Sequence, residues 1–335
     1  MRVAINGLGR IGKMVLWHYF TNEKKVDIVV ANGGSGTTED LAYMLKFDSV
    51  HGRFPVNIDY TEDSLIIDNK KIKIISQRDP LNLPWRELEV DIVIEATGKF
   101  TKKEDAQKHI EAGAKKVIIT APGKNVDKTI VLGVNEDEYD PKNHHIISNA
   151  SCTTNSLAPV MKVLEDEIGV ESALVTTIHA YTSSQVTIDR KKPGKHRRGR
   201  AAAINIIPTT TGAAKATTEV IPSLKGKMDA MALRVPVADV AITDISVTLK
   251  KDTTKDELNR LFENYANSKL KGILAITYDE VVSSDMINDT HSSTIDGLST
   301  SVVDGNKAKI LTWYDNEFGY AKRVLELTEL VASKL

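Results

Sequence analysis

Short apolar runs alternate with amphipathic stretches throughout the first half of the chain. Runs rich in Val and Ile lie at 3–6, 26–32, 72–75, 90–98, 116–120, 129–133 and 144–151, and helical periodicity separates several of them, as at 11–20 and 103–112. Strands that are continuously apolar and alternate with helices are typical of a parallel sheet covered on both faces. The pattern therefore predicts a doubly wound α/β domain.

The second half has a different pattern. A helical stretch that starts near Ser156 is followed by longer strands at 173–182, 229–239 and 240–251, in which apolar and polar residues alternate. Such alternation predicts a mixed or antiparallel sheet. Helical spacing returns from about Asn316. We therefore expect a first α/β domain at 1–151, an α+β catalytic domain at 152–315, and a helix at 316–335 that packs back on the first domain.

Three glycines follow the first predicted strand. Gly7, Gly9 and Gly12 have the spacing G-x-G-x-x-G and open the first predicted helix. A tight structural turn can have the same spacing, but here a second apolar strand follows, as a dinucleotide site requires. Glycines let backbone amides approach a pyrophosphate, and the helix N-terminus adds partial positive charge. We therefore predict a Rossmann domain that binds a dinucleotide.

The end of the second predicted strand lacks an acidic residue. NAD-selective sites usually present Asp or Glu to the ribose 2′-hydroxyl at this place, whereas this chain has Asn32 and Gly33 followed by a glycine-rich turn. Without a carboxylate a 2′-phosphate is not repelled, and the hydroxyls of Ser35, Thr37 and Thr38 could donate hydrogen bonds to it. This favours NADP. The alternative is a flexible turn that accepts either cofactor.

Composition narrows the classes of function. Lys and Arg number 44 against 45 Asp and Glu, for a net charge of −1, so nothing indicates a dedicated nucleic-acid or membrane-surface protein. The apolar runs are too short for a transmembrane helix, and the first residues lack the apolar segment of a signal peptide. The only cysteine, Cys152, excludes an internal disulfide and a cysteine-rich zinc site. We therefore expect a cytoplasmic protein and no metal site.

Cys152 is also the strongest candidate for chemistry. Most cysteines outside disulfides are buried small hydrophobes, but Ser, Thr and Asn surround this one, and a helix N-terminus just downstream would lower its pKa. A thiolate nucleophile needs a base. Of the eight histidines, His179 stands at the end of a predicted strand, where its side chain can project into a cleft. The other seven are expected to be structural or solvated.

Seven motifs then match one family in order and spacing. INGLGRIG, LKFDSVHG, ISNASCTTN, TTIHAYT, IIPTTTGAAK, LRVPVADV and WYDNEFGY run from the first strand to the last helix. Together they resemble phosphorylating glyceraldehyde-3-phosphate dehydrogenases. The resemblance implies that Cys152 is the nucleophile and His179 its base. It also implies that inorganic phosphate lies beside Ser151, Thr153, Arg198, Thr211 and Gly212, and that Thr182 and Arg234 hold the phosphate of the substrate.

The resemblance further implies the cofactor, the reaction and the assembly. Glyceraldehyde 3-phosphate would be converted reversibly to 1,3-bisphosphoglycerate through a thiohemiacetal and a thioester, with NADP or NAD as hydride acceptor. A homotetramer active in glycolysis or gluconeogenesis is expected. The predicted cofactor-binding residues are Asn6, Gly7, Gly9, Arg10, Ile11, Asn32, Gly33, Ser35, Arg78, Thr97, Gly98, Thr120, Asn316 and Tyr320, the last of these near the nicotinamide.

The chain departs from the pattern of NAD-selective members at two places. One is Gly33, where the family usually has Asp. The other follows Asp189, where Leu-Pro is usual and this chain has Arg190, Lys191 and Lys192. In the family this loop reaches a neighbouring subunit's cofactor near the adenosine ribose, so the three cations are candidates for a 2′-phosphate bound to a second subunit. Both departures favour NADP as the preferred cofactor, with NAD possible.

Three other interpretations remain. A relative acting on erythrose 4-phosphate or another phosphorylated aldehyde is one, although a route ending in hydrolysis has no need of the second anion site that TTTGAAK implies. A non-catalytic, redox-sensing dinucleotide-binding scaffold is another, but a sensor needs neither His179 nor two phosphate sites. The basic run at 190–200 could bind RNA, but no RNA-binding motif accompanies it and such runs usually form a solvated face.

Overall fold

The chain divides into two compact units. The computed structural model describes all 335 residues. One unit comprises 1–130, 136–151 and 321–335, and the other comprises 131–135 and 152–320. The main division lies between Ser151 and Cys152, residues 131–135 join the second unit, and the chain returns to the first unit at Ala321.

The first unit is built on a nine-stranded sheet. Its order is β10-β11-β9-β8-β1-β2-β7-β6-β5, and all neighbours are parallel except the β5–β6 and β6–β7 pairs. This confirms the Rossmann prediction, with an antiparallel edge that the sequence pattern did not indicate. The elements are β1 Arg2–Asn6, α1 Arg10–Thr21, β2 Asp27–Asn32, α2 Thr38–Lys46, β3 Phe47–Asp48, β4 Gly52–Arg53, β5 Ile58–Thr61, β6 Ser64–Ile67, β7 Lys70–Ile75, β8 Ile92–Glu95, α3 Lys103–Glu111, β9 Lys116–Ile119, β10 Lys128–Thr129 and β11 Ile146–Ser148.

The central strands form because they are apolar on both faces. Every residue of β8 and β9 is buried, and the whole of β1 after Arg2 is buried. The strand predicted at 129–133 is shorter than expected, because only Lys128–Thr129 pairs in the sheet. The amides of Val134 and Asn135 turn back to the Val131 carbonyl, and the Asn135 side chain accepts from the Val131 amide, so the chain leaves the sheet there.

The second unit is built on a sheet of eight strands. The sheet is mixed, which is one of the two arrangements that the alternating pattern predicted. Its order is β13-β14-β12-β15-β19-β17-β16, with β18 beside β19, and only the β12–β14 and β16–β17 pairs are parallel. The elements are α4 Cys152–Glu167, β12 Val170–Ala180, β13 Ile207–Thr210, α5 Ala213–Val220, β14 Met228–Val235, β15 Ala241–Leu249, α6 Lys255–Ala266, β16 Leu274–Thr277, β17 Ser293–Asp296, β18 Ser301–Val303, β19 Lys307–Tyr314 and α7 Phe318–Ser333, which continues into the first unit.

The seven α-helices are short. The longest, α4 and α7, have 16 residues each. None of the seven is long and apolar enough to cross a membrane.

Candidate active site

Cys152 is the first residue of a largely buried helix, α4. Ala150 has a φ of +54°, an uncommon backbone conformation for a residue with a Cβ, and two residues later α4 begins at Cys152 itself. The expectation that the helix starts near Ser156 is therefore wrong. Its first turn is polar but buried, so a hydrophobic pattern could not reveal it. The thiol thus belongs to the N-terminal turn.

His179 lies beside this thiol. The Cys152 Sγ is 3.5 Å from the His179 Nε2. The parallel register of β12 and β14 pairs His179 with Arg234, which brings the two side chains together. The Arg234 Nη1 is 2.9 Å from the His179 Nδ1 and donates to the Ala180 carbonyl at 2.8 Å. In the tautomer that donates from Nδ1 to the same carbonyl, also at 2.8 Å, Nε2 presents a lone pair to the thiol.

Burial sets the charge state of this pair. It raises the pKa of the Cys152 thiol, although the positive charge of Arg234 and the hydrogen bonds of Thr153 act in the opposite direction. Burial, followed by the charge of Arg234, lowers the pKa of His179 to about 3. The resting pair is therefore a neutral thiol and a neutral imidazole. The expected lowering of the thiol pKa by the helix N-terminus is outweighed by burial.

Tyr314 is a part of the site that the sequence did not single out. Its hydroxyl lies 2.9 Å from the hydroxyls of both Thr153 and Thr177, and its ring meets the His179 ring edge-on at 6.0 Å. The alternating burial of β19 does place Tyr314 on the inner face, so its position, though not its role, could be found from the pattern. Tyr314 thus packs against both the thiol-bearing helix and the base.

Arg198 and Arg234 are the two arginines that were expected to bind phosphate groups, and both lie in the second unit. The Arg198 Nε donates to the Thr209 hydroxyl at 2.9 Å and its Nη2 to the Thr210 carbonyl at 3.4 Å, which fixes Arg198 beside the end of β13. The Arg234 Nε is buried and has no partner in the protein. A buried, unpartnered guanidinium donor next to a nucleophile is suited to an anionic ligand.

The other predicted phosphate contacts have partners of their own. The Thr153 hydroxyl bonds Tyr314, the Thr182 hydroxyl lies 2.9 Å from the Ser184 hydroxyl, and the Thr211 hydroxyl accepts from the Ala213 amide at the start of α5. Gly212 is exposed and precedes the same helix, and Ser151 is half-buried directly before Cys152. Their contact with phosphate remains a prediction.

The first unit contains a cleft of about 760 Å³ at the carboxyl ends of its central strands. Eight predicted cofactor-binding residues line it, namely Asn6, Gly7, Gly9, Asn32, Gly33, Ser35, Arg78 and Thr97, together with Leu8, Gly34, Ser76, Gln77, Ala96, Lys99 and Phe100, which were not predicted. Two of the fifteen are cationic and none is acidic. The cleft therefore favours a polyanion.

Each glycine of the motif meets a different geometric requirement of the turn. A Cβ on Gly7, whose φ is +105°, would lie 2.9 Å from the backbone of Ala96 and Thr97, and one on Gly12 would lie 2.0 Å from the Gly7 carbonyl oxygen. A Cβ on Gly9 would meet no protein atom within 4 Å, and Gly9 lines the cleft. No side chain caps the N-terminus of α1. The loop thus fits a pyrophosphate laid against backbone and helix terminus.

Comparisons with known proteins agree with both the dinucleotide cleft of the first unit and the thiol site of the second. The family model for the glyceraldehyde 3-phosphate dehydrogenase NAD binding domain matches residues 1–103, and the model for the C-terminal domain of the same enzyme matches 151–316. Glyceraldehyde-3-phosphate dehydrogenase 2 of Bacillus subtilis (strain 168) is 52% identical over 336 residues, covering 100% of this chain and 98% of the relative. The enzyme of Geobacillus stearothermophilus is 51% identical over 335 residues, covering 100% and 99%.

The chain belongs to the glyceraldehyde-3-phosphate dehydrogenase family. This confirms the family resemblance seen in the motifs, and makes the chain an oxidoreductase with a nicotinamide dinucleotide as cofactor.

Several residues predicted to bind that cofactor are occupied within the dehydrogenase itself. The Asn32 and Asn6 amides bond each other at 2.7 Å, and the Thr97 hydroxyl bonds Glu95. The Arg10 guanidinium pairs with both carboxylate oxygens of Asp48. These bonds hold the side chains in place around the cleft, and their contact with the cofactor remains a prediction.

Five further predicted cofactor contacts do not line the cleft. Ile11 lies in the first turn of α1, Gly98 has a φ of +68°, and the Thr120 hydroxyl donates to the Glu95 carbonyl at 3.2 Å. Asn316 and Tyr320 are buried residues of the second unit, and the Asn316 side-chain oxygen has no partner in the protein. Their contact with the dinucleotide remains a prediction.

Three side chains that were expected to favour a 2′-phosphate, those of Thr37, Thr38 and Lys192, are bonded within the chain. The Thr37 hydroxyl donates to the Asp40 carboxylate at 2.8 Å while it accepts from the Asp40 amide and caps α2. The Thr38 hydroxyl donates to the Glu62 carbonyl, so of the three proposed hydroxyl donors only that of Ser35 is uncommitted. The Lys192 ammonium donates to the Ser184 carbonyl of its own chain. Lys192 is therefore not free to reach a neighbouring subunit's cofactor.

Proposed function

We propose that this chain catalyses the reversible oxidative phosphorylation of D-glyceraldehyde 3-phosphate to 1,3-bisphosphoglycerate. The observation that carries the proposal is the 3.5 Å approach of the Cys152 thiol to the neutral His179 imidazole, next to the half-buried Arg234, whose buried Nε has no partner. A thiol, a base and an anion-binding cation are the groups that covalent oxidation of a phosphorylated aldehyde requires.

The side chains perform distinguishable steps. As the Cys152 sulfur bonds to the aldehyde carbon, its proton passes to the His179 Nε2, and the resulting imidazolium stabilises the oxyanion. The bound dinucleotide supplies the hydride acceptor, and the thiohemiacetal carbon is left as a thioester on Cys152. Inorganic phosphate, oriented by Arg198 and the neighbouring threonines, then attacks the thioester carbon and loses its hydroxyl proton to water. The Cys152 sulfur leaves as a thiolate and takes back the proton held on the His179 Nε2, which restores the neutral pair.

A pre-steady-state experiment tests this scheme. Without inorganic phosphate, each active site should reduce about one equivalent of cofactor in a burst and then nearly stop, because the thioester is not released. Cys152→Ser should abolish the burst while the circular dichroism spectrum stays unchanged. A burst of equal size in Cys152→Ser would refute a thioester on this residue.

We further propose that NADP is preferred and that NAD is also accepted. The cleft has Arg78 and Lys99 on its lining and no carboxylate, and Gly33 stands where an acid would repel a 2′-phosphate. The side chains of Arg190 and Lys191 are exposed and have no partner within the chain, which supports their use by a neighbouring subunit. The test is kcat/KM with each cofactor, and a clearly higher value for NAD would contradict the preference.

Replacement of Gly33 provides a sharper test. A Cβ at this position would lie 2.5 Å from the flexible end of the Leu41 side chain, so Gly33→Ala controls for the steric change and Gly33→Asp adds the carboxylate. We expect Gly33→Asp to move the kcat/KM ratio towards NAD by about tenfold relative to Gly33→Ala. Equal ratios in the two variants would remove Gly33 from the explanation.

We propose a homotetramer in the cytoplasm. Ile188, Ile204 and Ile206 are 77%, 79% and 68% exposed, and large apolar side chains exposed in one segment usually mark an interface. A free catalytic thiol and the absence of disulfides are typical of proteins in a reducing compartment. Light scattering after size exclusion should give four times the chain mass of 36.8 kDa, and a monomer would contradict the proposal.

A further inference from the structure

A buried carboxylate that the proposed reaction does not use lies beneath the dinucleotide cleft. Glu95 ends β8 and is 1% exposed, and no Lys or Arg contacts it. It accepts from the Asn6 side chain at 2.5 Å and from the Thr97 amide at 2.9 Å, it bonds the Thr97 hydroxyl, and its Oε2 is 3.0 Å from the His109 Nε2. A buried charge without a cation is tolerated only when hydrogen bonds satisfy it.

The direction of the bond from His109 is fixed by Trp85. The indole Nε1 can only donate, and it lies 3.0 Å from the His109 Nδ1, which must therefore accept. His109 is thus neutral and carries its proton on Nε2, which donates to Glu95. The contact is a hydrogen bond to a carboxylate and not an ion pair. Lys108, the neighbouring residue on α3, pairs with Asp79 at the surface.

The direction of the amide bonds is fixed in the same way. The backbone amide of Gln77 donates to the Asn32 Oδ1 at 3.0 Å, so the Asn32 Nδ2 is the end that donates, at 2.7 Å, to the Asn6 Oδ1. The Asn6 Nδ2 is then the end that faces Glu95. The hydrogen bonds from the Gln77 amide to Asn32, from Asn32 to Asn6 and from Asn6 to Glu95 are therefore all donated in the direction of the carboxylate.

Thr97 completes the set. Its hydroxyl oxygen accepts from the Lys99 amide at 3.1 Å, which directs its own proton to the Glu95 Oε1. Each carboxylate oxygen of Glu95 therefore accepts two hydrogen bonds. The Oε1 accepts from the amide and the hydroxyl of Thr97, and the Oε2 accepts from the Asn6 Nδ2 and the His109 Nε2. A protonated carboxyl would place its hydrogen against one of these donors, so Glu95 is ionised.

This network joins the parts that line the cleft. β8, β1, β2 and β7 are consecutive in the sheet, and the network ties their carboxyl ends through Glu95, Asn6, Asn32 and the Gln77 backbone. We propose that Glu95 is a positioning residue for the dinucleotide, and that Trp85 keeps His109 in the donor tautomer that Glu95 needs. The inference depends on the proposed function only in that a dinucleotide occupies this cleft.

The first experiment replaces the carboxylate. Glu95→Gln turns one acceptor atom into a donor that faces donors, whereas Glu111→Gln changes an exposed acid on α3 and serves as the control. Dissociation constants for NAD and NADP are measured by calorimetry. We expect both to rise about tenfold or more in Glu95→Gln only, with kcat at saturating cofactor within about twofold of the wild type. Equal affinities in the two variants, with Glu95→Gln folded, overturn the proposal.

A second pair of variants decides the question if Glu95→Gln does not fold. His109→Gln keeps a neutral donor and acceptor, and His109→Leu keeps neither. We expect near-wild-type affinity for His109→Gln and a loss of about tenfold for His109→Leu. Equal affinity in these two variants overturns the role of the donor. If the wild type binds neither cofactor, the proposed function fails, which is a different result from binding that is insensitive to these changes.

Discussion

The imidazole of His179 is available as a base because of its surroundings. Burial and Arg234 lower its pKa to about 3, so it is neutral throughout the range in which a free histidine titrates. The folded-state pKa is lower than the unfolded one, so the neutral form contributes stability above about pH 6.5, and this contribution is lost as the pH falls towards 3. The same neutral ring accepts the thiol proton when the substrate arrives.

Replacement of this base should therefore reduce turnover without affecting the fold. His179→Asn keeps a polar side chain but has no basic nitrogen, and we expect kcat to fall by about 10²- to 10⁴-fold. The alkylation of Cys152 by iodoacetamide should also slow, because no neighbouring base removes the thiol proton. Steady-state kinetics and timed alkylation measure both effects. An unchanged alkylation rate would contradict the assignment of His179 as the base.

At the level of elements, two glycines in the turn between β1 and α1 are expected to matter for different properties, Gly12 for stability and Gly9 for cofactor binding. Gly12→Ala places a Cβ 2.0 Å from the Gly7 carbonyl oxygen, so the backbone must move, and we expect a loss of about 2 kcal/mol or more in the free energy of unfolding. Gly9→Ala meets no protein atom, so it should stay stable yet bind NADP at least about tenfold more weakly. Urea unfolding and calorimetry measure the two quantities, and the reverse outcome would contradict this division.

The start of α1 is tied to β3 through Asp48. Burial alone would raise the pKa of this carboxyl, but hydrogen bonds from Arg10 and from the His51 and Val50 amides outweigh burial and hold the pKa far below 3.8. Asp48→Asn should therefore cost about 2 kcal/mol at pH 7. Because the folded pKa is lowered, the difference from the wild type should persist above about pH 4 and shrink below it. A difference that does not change between pH 7 and pH 3 in urea unfolding would contradict this.

The whole molecule has a net charge of −1, but its charge is unevenly distributed. Arg190 and Lys191 are exposed on a loop without acidic partners, whereas Arg200 pairs with Asp189. Arg190→Ser with Lys191→Ser should lower kcat/KM for NADP several-fold and leave that for NAD unchanged, and added salt should reduce the wild-type preference. Lys225→Ser removes an exposed lysine elsewhere in the same unit and serves as the control. An equal loss for both cofactors would contradict a contact with the 2′-phosphate.

The sequence predicts the layers of the molecule better than it predicts side-chain partners. Continuous apolar strands such as β8 and alternating strands such as β12 follow from the pattern of burial, and the glycine motif locates the cleft. The start of α4 could not be predicted, because its first turn is polar and buried. The hydrogen bonds of the Thr37, Thr38 and Lys192 side chains could not be predicted either, because their backbone partners come within reach only in the folded chain.

The most direct test of the central claim is the fate of the acyl group during turnover. The wild-type protein is given glyceraldehyde 3-phosphate and NADP at increasing inorganic phosphate, and the product is assayed as acyl phosphate and as free acid. We predict sustained turnover only with phosphate, and one acyl phosphate for each cofactor reduced. Sustained turnover without phosphate, with free acid as the product, would contradict the account.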